Sequence, residues 1–189
     1  MREIIKLAII LAFISLVAAS ALSNVYLATR DKIAAVEAGR EAEARRAAFP
    51  GATYFEKDSS AALLFYRAFP DSLNRTLIGY VVPAAGQGYS STIRTMVGVD
   101  TFMVIAGIKV SSQQETPGLG TRVEEIRSGA KTPWFQDQFK GKSIGQLQVV
   151  RGKDPNQIEA ITGATISSKA VTVSVRDALD KLQSIVKQP

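Results

Sequence analysis

The sequence predicts an α+β domain, a sheet with helices packed on it, carried behind a single N-terminal transmembrane helix. Three observations point there. An uncharged apolar run covers residues 7–27, four β-rich runs follow one another between residues 63 and 110, and an amphipathic pattern closes the chain from Ser167 to Lys187.

Residues 1–6 form a short N-terminal tail, and residues 7–27 read LAIILAFISLVAASALSNVYL, with Ser, Asn and Tyr as the polar members. As a helix rising 1.5 Å per residue this run spans about 31 Å, the thickness of a bilayer's hydrocarbon core. A helix also satisfies its own backbone hydrogen bonds in lipid, which an isolated strand does not. Arg2, Lys6 and the small residues Ala19-Ser20-Ala21 fit a cleaved signal peptide as well. The apolar run continues past that site through Leu22, Val25, Tyr26 and Leu27, which favours a retained anchor. Arg2 and Lys6 on one side are nearly balanced by Arg30, Lys32 and Arg40 on the other. The orientation read is a cytoplasmic N-terminus in the inner membrane, single-pass, with the soluble domain on the extracytoplasmic side.

Residues 28–49 are rich in Ala, Glu and Arg and read as a helical stalk that ends at Phe49-Pro50-Gly51. Residues 50–189 then form one domain. Strands are expected over residues 63–69, 77–84, 92–99 and 103–110, with turn signals at Pro70-Asp71, Gly86-Gln87-Gly88 and Asp100-Thr101. The last two strands read as a hairpin. Short helices fit residues 119–127 and 134–139, and residues 147–150 fit another strand. In the closing helix Val171, Val175, Ala178, Leu179, Leu182 and Val186 share one face, with Ser167 and Ser168 as N-cap candidates.

Composition removes whole classes of function. The 189 residues include no Cys and no His, so disulfides, thiolate or imidazole metal sites and nucleophile–His triads are excluded. Redox work here requires an organic cofactor. The net charge of +6 is spread along the chain without a basic stripe or interleaved aromatics, so a solvated surface and no nucleic-acid partner is the reading. No metal ligand set and no catalytic residue emerge. Glu124 and Glu125 are adjacent and point to different helix faces, so they do not make a catalytic carboxylate pair.

Two short segments carry candidate chemistry. In Thr162-Gly163-Ala164-Thr165-Ile166-Ser167-Ser168, small residues lead into the final helix, whose first-turn N–H groups favour an anion. Taken alone, Thr, Ser and Gly before an apolar periodic run also read as an ordinary helix cap. In Glu115-Thr116-Pro117-Gly118-Leu119-Gly120, Pro117 fixes a turn, and the glycines allow positive φ and close approach to a flat ligand. Glu115 and Thr116 offer a polar rim. An ordinary strand-to-helix turn fits the same spacing. Trp134 and Tyr89 are aromatic side chains able to stack on a flat ring or to serve in the core.

The order and separation of these segments behind one membrane helix, together with Gly88-Tyr89-Ser90, resemble the G subunit of the Rnf electron-transport complex. That protein belongs to the FMN-binding family shared with the C subunit of the sodium-pumping NADH:quinone oxidoreductase. The resemblance covers essentially the whole chain. It implies one covalent FMN per chain, its phosphate esterified to Thr165 by a separate flavin transferase. It further implies that Thr162, Gly163, Ala164 and Ser167 frame the phosphate, and that Glu115, Thr116, Pro117, Gly118 and Leu119 line the flavin. The family usually has Asp three residues before the first motif position, where this chain has Glu159. The function implied is a membrane-anchored redox subunit with no complete reaction alone, relaying electrons among the other subunits of an ion-translocating ferredoxin:NAD⁺ oxidoreductase. The quinone-reductase C subunit is the neighbouring alternative, and a non-redox anchored ligand-binding or assembly domain is the alternative of a different class.

Overall fold

A computed structural model describes residues 1–58, 63–73 and 76–186. The first helix, α1, covers Arg2–Ala48, and the chain divides into two compact units at Arg40 and Glu41. Within the first unit α1 is long and apolar enough to cross a membrane, and its large apolar side chains, from Ile4 to Leu27, are exposed. A lone soluble helix would leave that surface in water, at roughly 25 cal/mol per Å² of apolar area. A bilayer removes the cost.

The second unit begins at Glu41. Its centre is an antiparallel meander of β1 (Tyr54–Asp58), β2 (Phe65–Phe69), β3 (Gly79–Gln87), β4 (Thr92–Asp100) and β5 (Ile105–Ser112), paired in chain order. Two residues each of β6 (Val149–Val150) and β7 (Ile158–Glu159) form a small parallel pair. Short 3-10 turns cover Gly120–Glu124 and Ile144–Gln146, α2 covers Trp134–Asp137, and α3 covers Thr165–Val186.

Both faces of the meander are covered, which explains why β3 and β4 read as apolar runs and not as strict alternations. Tyr80, Val82 and Ala84 of β3 with Ile93, Val97 and Val99 of β4 share a core with Val171, Val175, Leu179 and Leu182 of α3. Those α3 residues recur at helical spacing and make the apolar stripe the sequence shows. On the opposite face Val81 and Met96 meet Ala44, Ala48 and Phe49, the end of α1 and the residue after it. Gly98 makes this approach possible, because a Cβ there would lie 2.4 Å from the Ala48 carbonyl oxygen. The Arg45 guanidinium lies 4.1 Å from the Tyr66 ring centroid, a cation–π contact on the same face.

The structure moves several boundaries. The turn expected at Gly86 starts at Gly88, because β3 runs on through Gln87 and Gly86 faces the Ala170 carbonyl of α3. The helix expected over residues 119–127 is the single 3-10 turn Gly120–Glu124, since Glu125 leaves it with extended backbone. The final helix begins at Thr165, two residues before the expected start, and the expected end at Lys187 lies outside the described residues. The hairpin of β4 and β5 turns at Asp100, whose carboxylate accepts from the Phe102 and Val104 N–H groups. Strand β1 has no counterpart in the sequence reading. It is one of the two edge strands of the meander, with Glu56 and Lys57 exposed, and Asp58 pairs with Arg67 of β2 at 2.7 Å.

Candidate functional site

One end of the sheet brings the two sequence motifs together. Strands β3 and β4 are joined by residues 88–91, a tight turn closed by the Gly88 N–H donating to the Ser91 carbonyl at 2.8 Å. Strand β5 ends beside this turn, so the chain leaving it carries Glu115 back underneath. Successive N–H groups at such a turn form a concave nest for an anion. Glu115 fills it from within the protein. Its Oε1 accepts from the N–H groups of Ser90 at 3.0 Å and Ser91 at 2.9 Å and from the Ser91 hydroxyl at 3.2 Å. Its Oε2 accepts from the Tyr89 N–H at 3.0 Å and from the Ser167 hydroxyl at 2.5 Å.

The carboxylate is 4% exposed, and burial alone would raise its pKa. The Ser167 hydroxyl and the N–H groups of Tyr89, Ser90 and Ser91 outweigh burial and hold it down, from 4.5 to about 2. The same crowding explains two glycines. A Cβ on Gly88 or on Gly120 would lie 2.6 Å from a Glu115 carboxylate oxygen.

Between the 88–91 turn and the start of α3 lies a cleft of about 540 Å³, within the range of small-molecule sites. Its walls are Tyr89, Glu115, Thr116, Leu119, Gly120, Gly163, Ala164, Thr165, Ile166 and Ser167. Tyr89, Leu119 and Ile166 stand at its mouth, 72%, 47% and 53% exposed, an apolar rim suited to a flat ring. Gly163, at φ +82°, makes the left-handed turn that delivers the chain into α3, a conformation that disfavours any side chain.

The N-terminus of α3 is open. The first backbone bond of the helix runs from the Ser168 N–H to the Ala164 carbonyl at 3.0 Å, which places Ala164 at the N-cap. Alanine brings no capping oxygen. The N–H groups of Thr165, Ile166 and Ser167 are the orphan donors of the first turn, and among the described residues no side-chain oxygen accepts from them. Ser167 and Ser168 do not cap the helix as expected. Ser167 is committed to Glu115, while the Ser168 hydroxyl donates to the Ala164 carbonyl and accepts from the Ile161 N–H. The half-buried Thr165 lines the cleft, and its hydroxyl makes no hydrogen bond to any described residue.

Of the other residues singled out from the sequence, Thr116 lines the cleft with its hydroxyl 3.2 Å from that of Ser90. Pro117 and Gly118 form the turn beside it, with Gly118 at φ +74°, and do not line it. Thr162 also stands outside the wall, its carbonyl accepting from Arg122 at 3.2 Å. Glu115, expected as an open rim group, is instead consumed by internal donors. Trp134 is away from the cleft, its indole N–H donating to Glu125 and its ring covered by the Arg127 guanidinium at 3.7 Å. That indole bond and Arg122 hold the Glu125 carboxyl below its ordinary pKa. Gly120, read from the sequence as allowing close approach to a flat ligand, is a wall residue, and so is Ile166, to which the sequence reading gave no role of its own. The register of α3 finds Ile166 once Thr165 is known to be helical.

Open N–H donors, an unpartnered hydroxyl and an apolar mouth fit a nucleotide whose phosphate meets the helix and whose flat ring lies over the rim. This is the class the comparisons define: residues 88–180 match the model of the FMN-binding domain family. Over 188 residues the chain is 32% identical to the G subunit of the ion-translocating oxidoreductase complex of Methanosarcina acetivorans, covering 95% of this chain and 94% of that protein. It is 33% identical over 204 residues to the G subunit of the Na⁺-translocating ferredoxin:NAD⁺ oxidoreductase complex of Acetobacterium woodii, covering 98% and 95%. The chain belongs to the G-subunit family of ion-translocating oxidoreductase (Rnf) complexes. Its fold is that of a crystal structure of the C subunit of the Na⁺-translocating NADH-quinone reductase from Parabacteroides distasonis. The TM-score is 0.50 at 25% identity, over 67% of this chain and 63% of that one.

Proposed function

We propose that the chain is a membrane-anchored flavoprotein subunit relaying electrons within an ion-translocating ferredoxin:NAD⁺ oxidoreductase complex. One FMN per chain is joined through its phosphate to the Thr165 hydroxyl. The observation that carries this reading is the pairing of that unengaged hydroxyl with the uncapped N-terminus of α3. A phosphate diester keeps one negative charge, and the free first-turn N–H groups and the helix dipole stabilise it there. The isoalloxazine ring supplies the electron chemistry when bound, and the protein supplies attachment, orientation and access. Thr165 holds the phosphate, with Gly163 and Ala164 leaving it room. Leu119, Ile166 and Tyr89 give the ring an apolar seat, and Thr116 offers a hydroxyl at its edge.

Attachment is made by a separate flavin transferase, as the resemblance to the G-subunit family implies. Residues 7–27 anchor the chain in the inner membrane, residues 28–49 act as a stalk, and the flavin domain lies on the extracytoplasmic side among the other subunits of the complex. A covalent bond is useful on that side, where a dissociated flavin would be lost.

The test is direct. Protein made together with its transferase is denatured and run on a gel, where flavin fluorescence stays with the wild-type band and is absent from Thr165→Ala. A wild-type band without fluorescence, in cells that label another flavoprotein of this kind, overturns the proposal.

A further inference from the structure

We propose that Glu115 is the positioning residue of the cleft: its carboxylate ties the 88–91 turn to the first turn of α3, and so sets the spacing of the two walls between which the flavin lies. The flavin part rests on the function proposed above; the clamp itself does not.

The geometry is that of a hub. Tyr89, Ser90 and Ser91 come from one wall and Ser167 from the other, 52 residues apart from Glu115 in sequence, and all converge on one carboxylate. No Lys or Arg among the described residues forms an ion pair with it. A buried anion held only by neutral donors is sensitive to the placement of each of them, since losing the charge or moving a donor leaves polar groups unpaired. The depressed pKa agrees, because the ionised form is the one the donors fit. Tyr89 rides on the clamped turn with its ring at the cleft mouth, whereas Thr165 stands two residues before Ser167 on the other wall. The clamp therefore connects the residue proposed to carry the phosphate with the aromatic rim. The nest at residues 88–91 is also closed to an incoming phosphate by its resident carboxylate, which leaves the start of α3 as the anion site.

Glutamine at this position keeps the shape but turns one acceptor oxygen into an NH₂ that faces the donors of the turn. The experiment measures amide hydrogen exchange on the detergent-solubilised full chain made without transferase, and the midpoint potential of the chain made with it. In Glu115→Gln, exchange at Tyr89, Ser90 and Ser91 rises roughly tenfold to a hundredfold, as expected for lost bonds to a charged acceptor. Core amides of β4 such as Val97 stay protected, and the potential moves positive because a fixed negative charge has left the cleft wall. Glu56→Gln, on the exposed edge strand, changes neither reading. Unchanged protection at residues 89–91 overturns the clamp. So does faster exchange spread evenly over the sheet with an unmoved potential, which would mark a merely structural residue. Should Glu115→Gln fail to fold, Ser167→Ala cuts the link to α3 alone. The Ser168 amide then exchanges several-fold faster, and no change there overturns the coupling of the walls. A wild-type chain without flavin counts against the proposed function only, and the exchange readings still decide the clamp.

Discussion

Lowering the pH should unload a defined part of the domain's stability through Glu115. The native carboxyl titrates at about 2 against an ordinary 4.5. A group whose folded pKa is depressed contributes stability that is complete above its unfolded pKa and is lost as pH falls toward the folded one. The contribution is therefore full near neutrality, begins to fall at about pH 5, and is nearly gone at about pH 2. Its size follows from the separation of the two values and is on the order of 3 kcal/mol, with about half lost by pH 3. Urea unfolding of the full chain in detergent, followed by the fluorescence of the sole tryptophan, Trp134, measures it at pH 7, 5, 4 and 3. Acid acts on the rest of the chain as well, so the informative quantity is the difference between wild type and Glu115→Gln. That difference should shrink by about 1–2 kcal/mol between pH 7 and pH 3. Parallel curves for the two proteins would refute the claim that the hydrogen-bonded carboxylate stores this energy.

Three further outcomes follow from other parts of the molecule. Ser167→Ala should retain most of the in-gel flavin fluorescence that Thr165→Ala loses, because Ser167 serves Glu115 and not the attachment. Gly98→Ala should lower stability by about 1–3 kcal/mol in the same urea assay, since its Cβ meets the Ala48 carbonyl. Gly145→Ala, which has open space around it, is the control. A chain beginning at Glu41 should melt higher than one beginning at Pro50. The longer chain keeps Ala44, Ala48 and Phe49 against the sheet, worth on the order of 3 kcal/mol. Calorimetry should separate the two by roughly 10 °C.

Periodicity made the large elements legible. The α3 stripe, the β3–β5 meander and the apolar N-terminal helix all follow from patterns that burial imposes directly. Strand β1 was not legible because its residues alternate weakly, and the cross-strand partners that hold it, such as Arg67 for Asp58, are set by pairing with β2 and not by a local pattern. Gly86 misled as a turn signal because glycine marks close approach as well as reversal, and here the approach is by Ala170 of a helix distant in sequence. At the site, the two motifs were visible as segments, but their convergence was not. Nothing local to Glu115 announces that its partners lie at residues 89–91 and 167, since that depends on how the meander returns the chain to one end of the sheet. The seryl side chains beside Thr165 resembled caps for the same reason. Only the fold shows where their hydroxyls go, that of Ser167 to Glu115 and that of Ser168 to the Ala164 carbonyl.

The wedge of Glu115 between Gly88 and Gly120 also constrains how this sequence can drift. Adding one methyl group at either glycine collides with the acid, so neither position is free to vary while the acid remains. Relatives that retain glutamate at the position of Glu115 should keep both glycines, and lineages that lose one should show a replaced acid nearby. Two segments distant along the chain, one holding Gly88 and the other Glu115 and Gly120, thus evolve as a single inherited character.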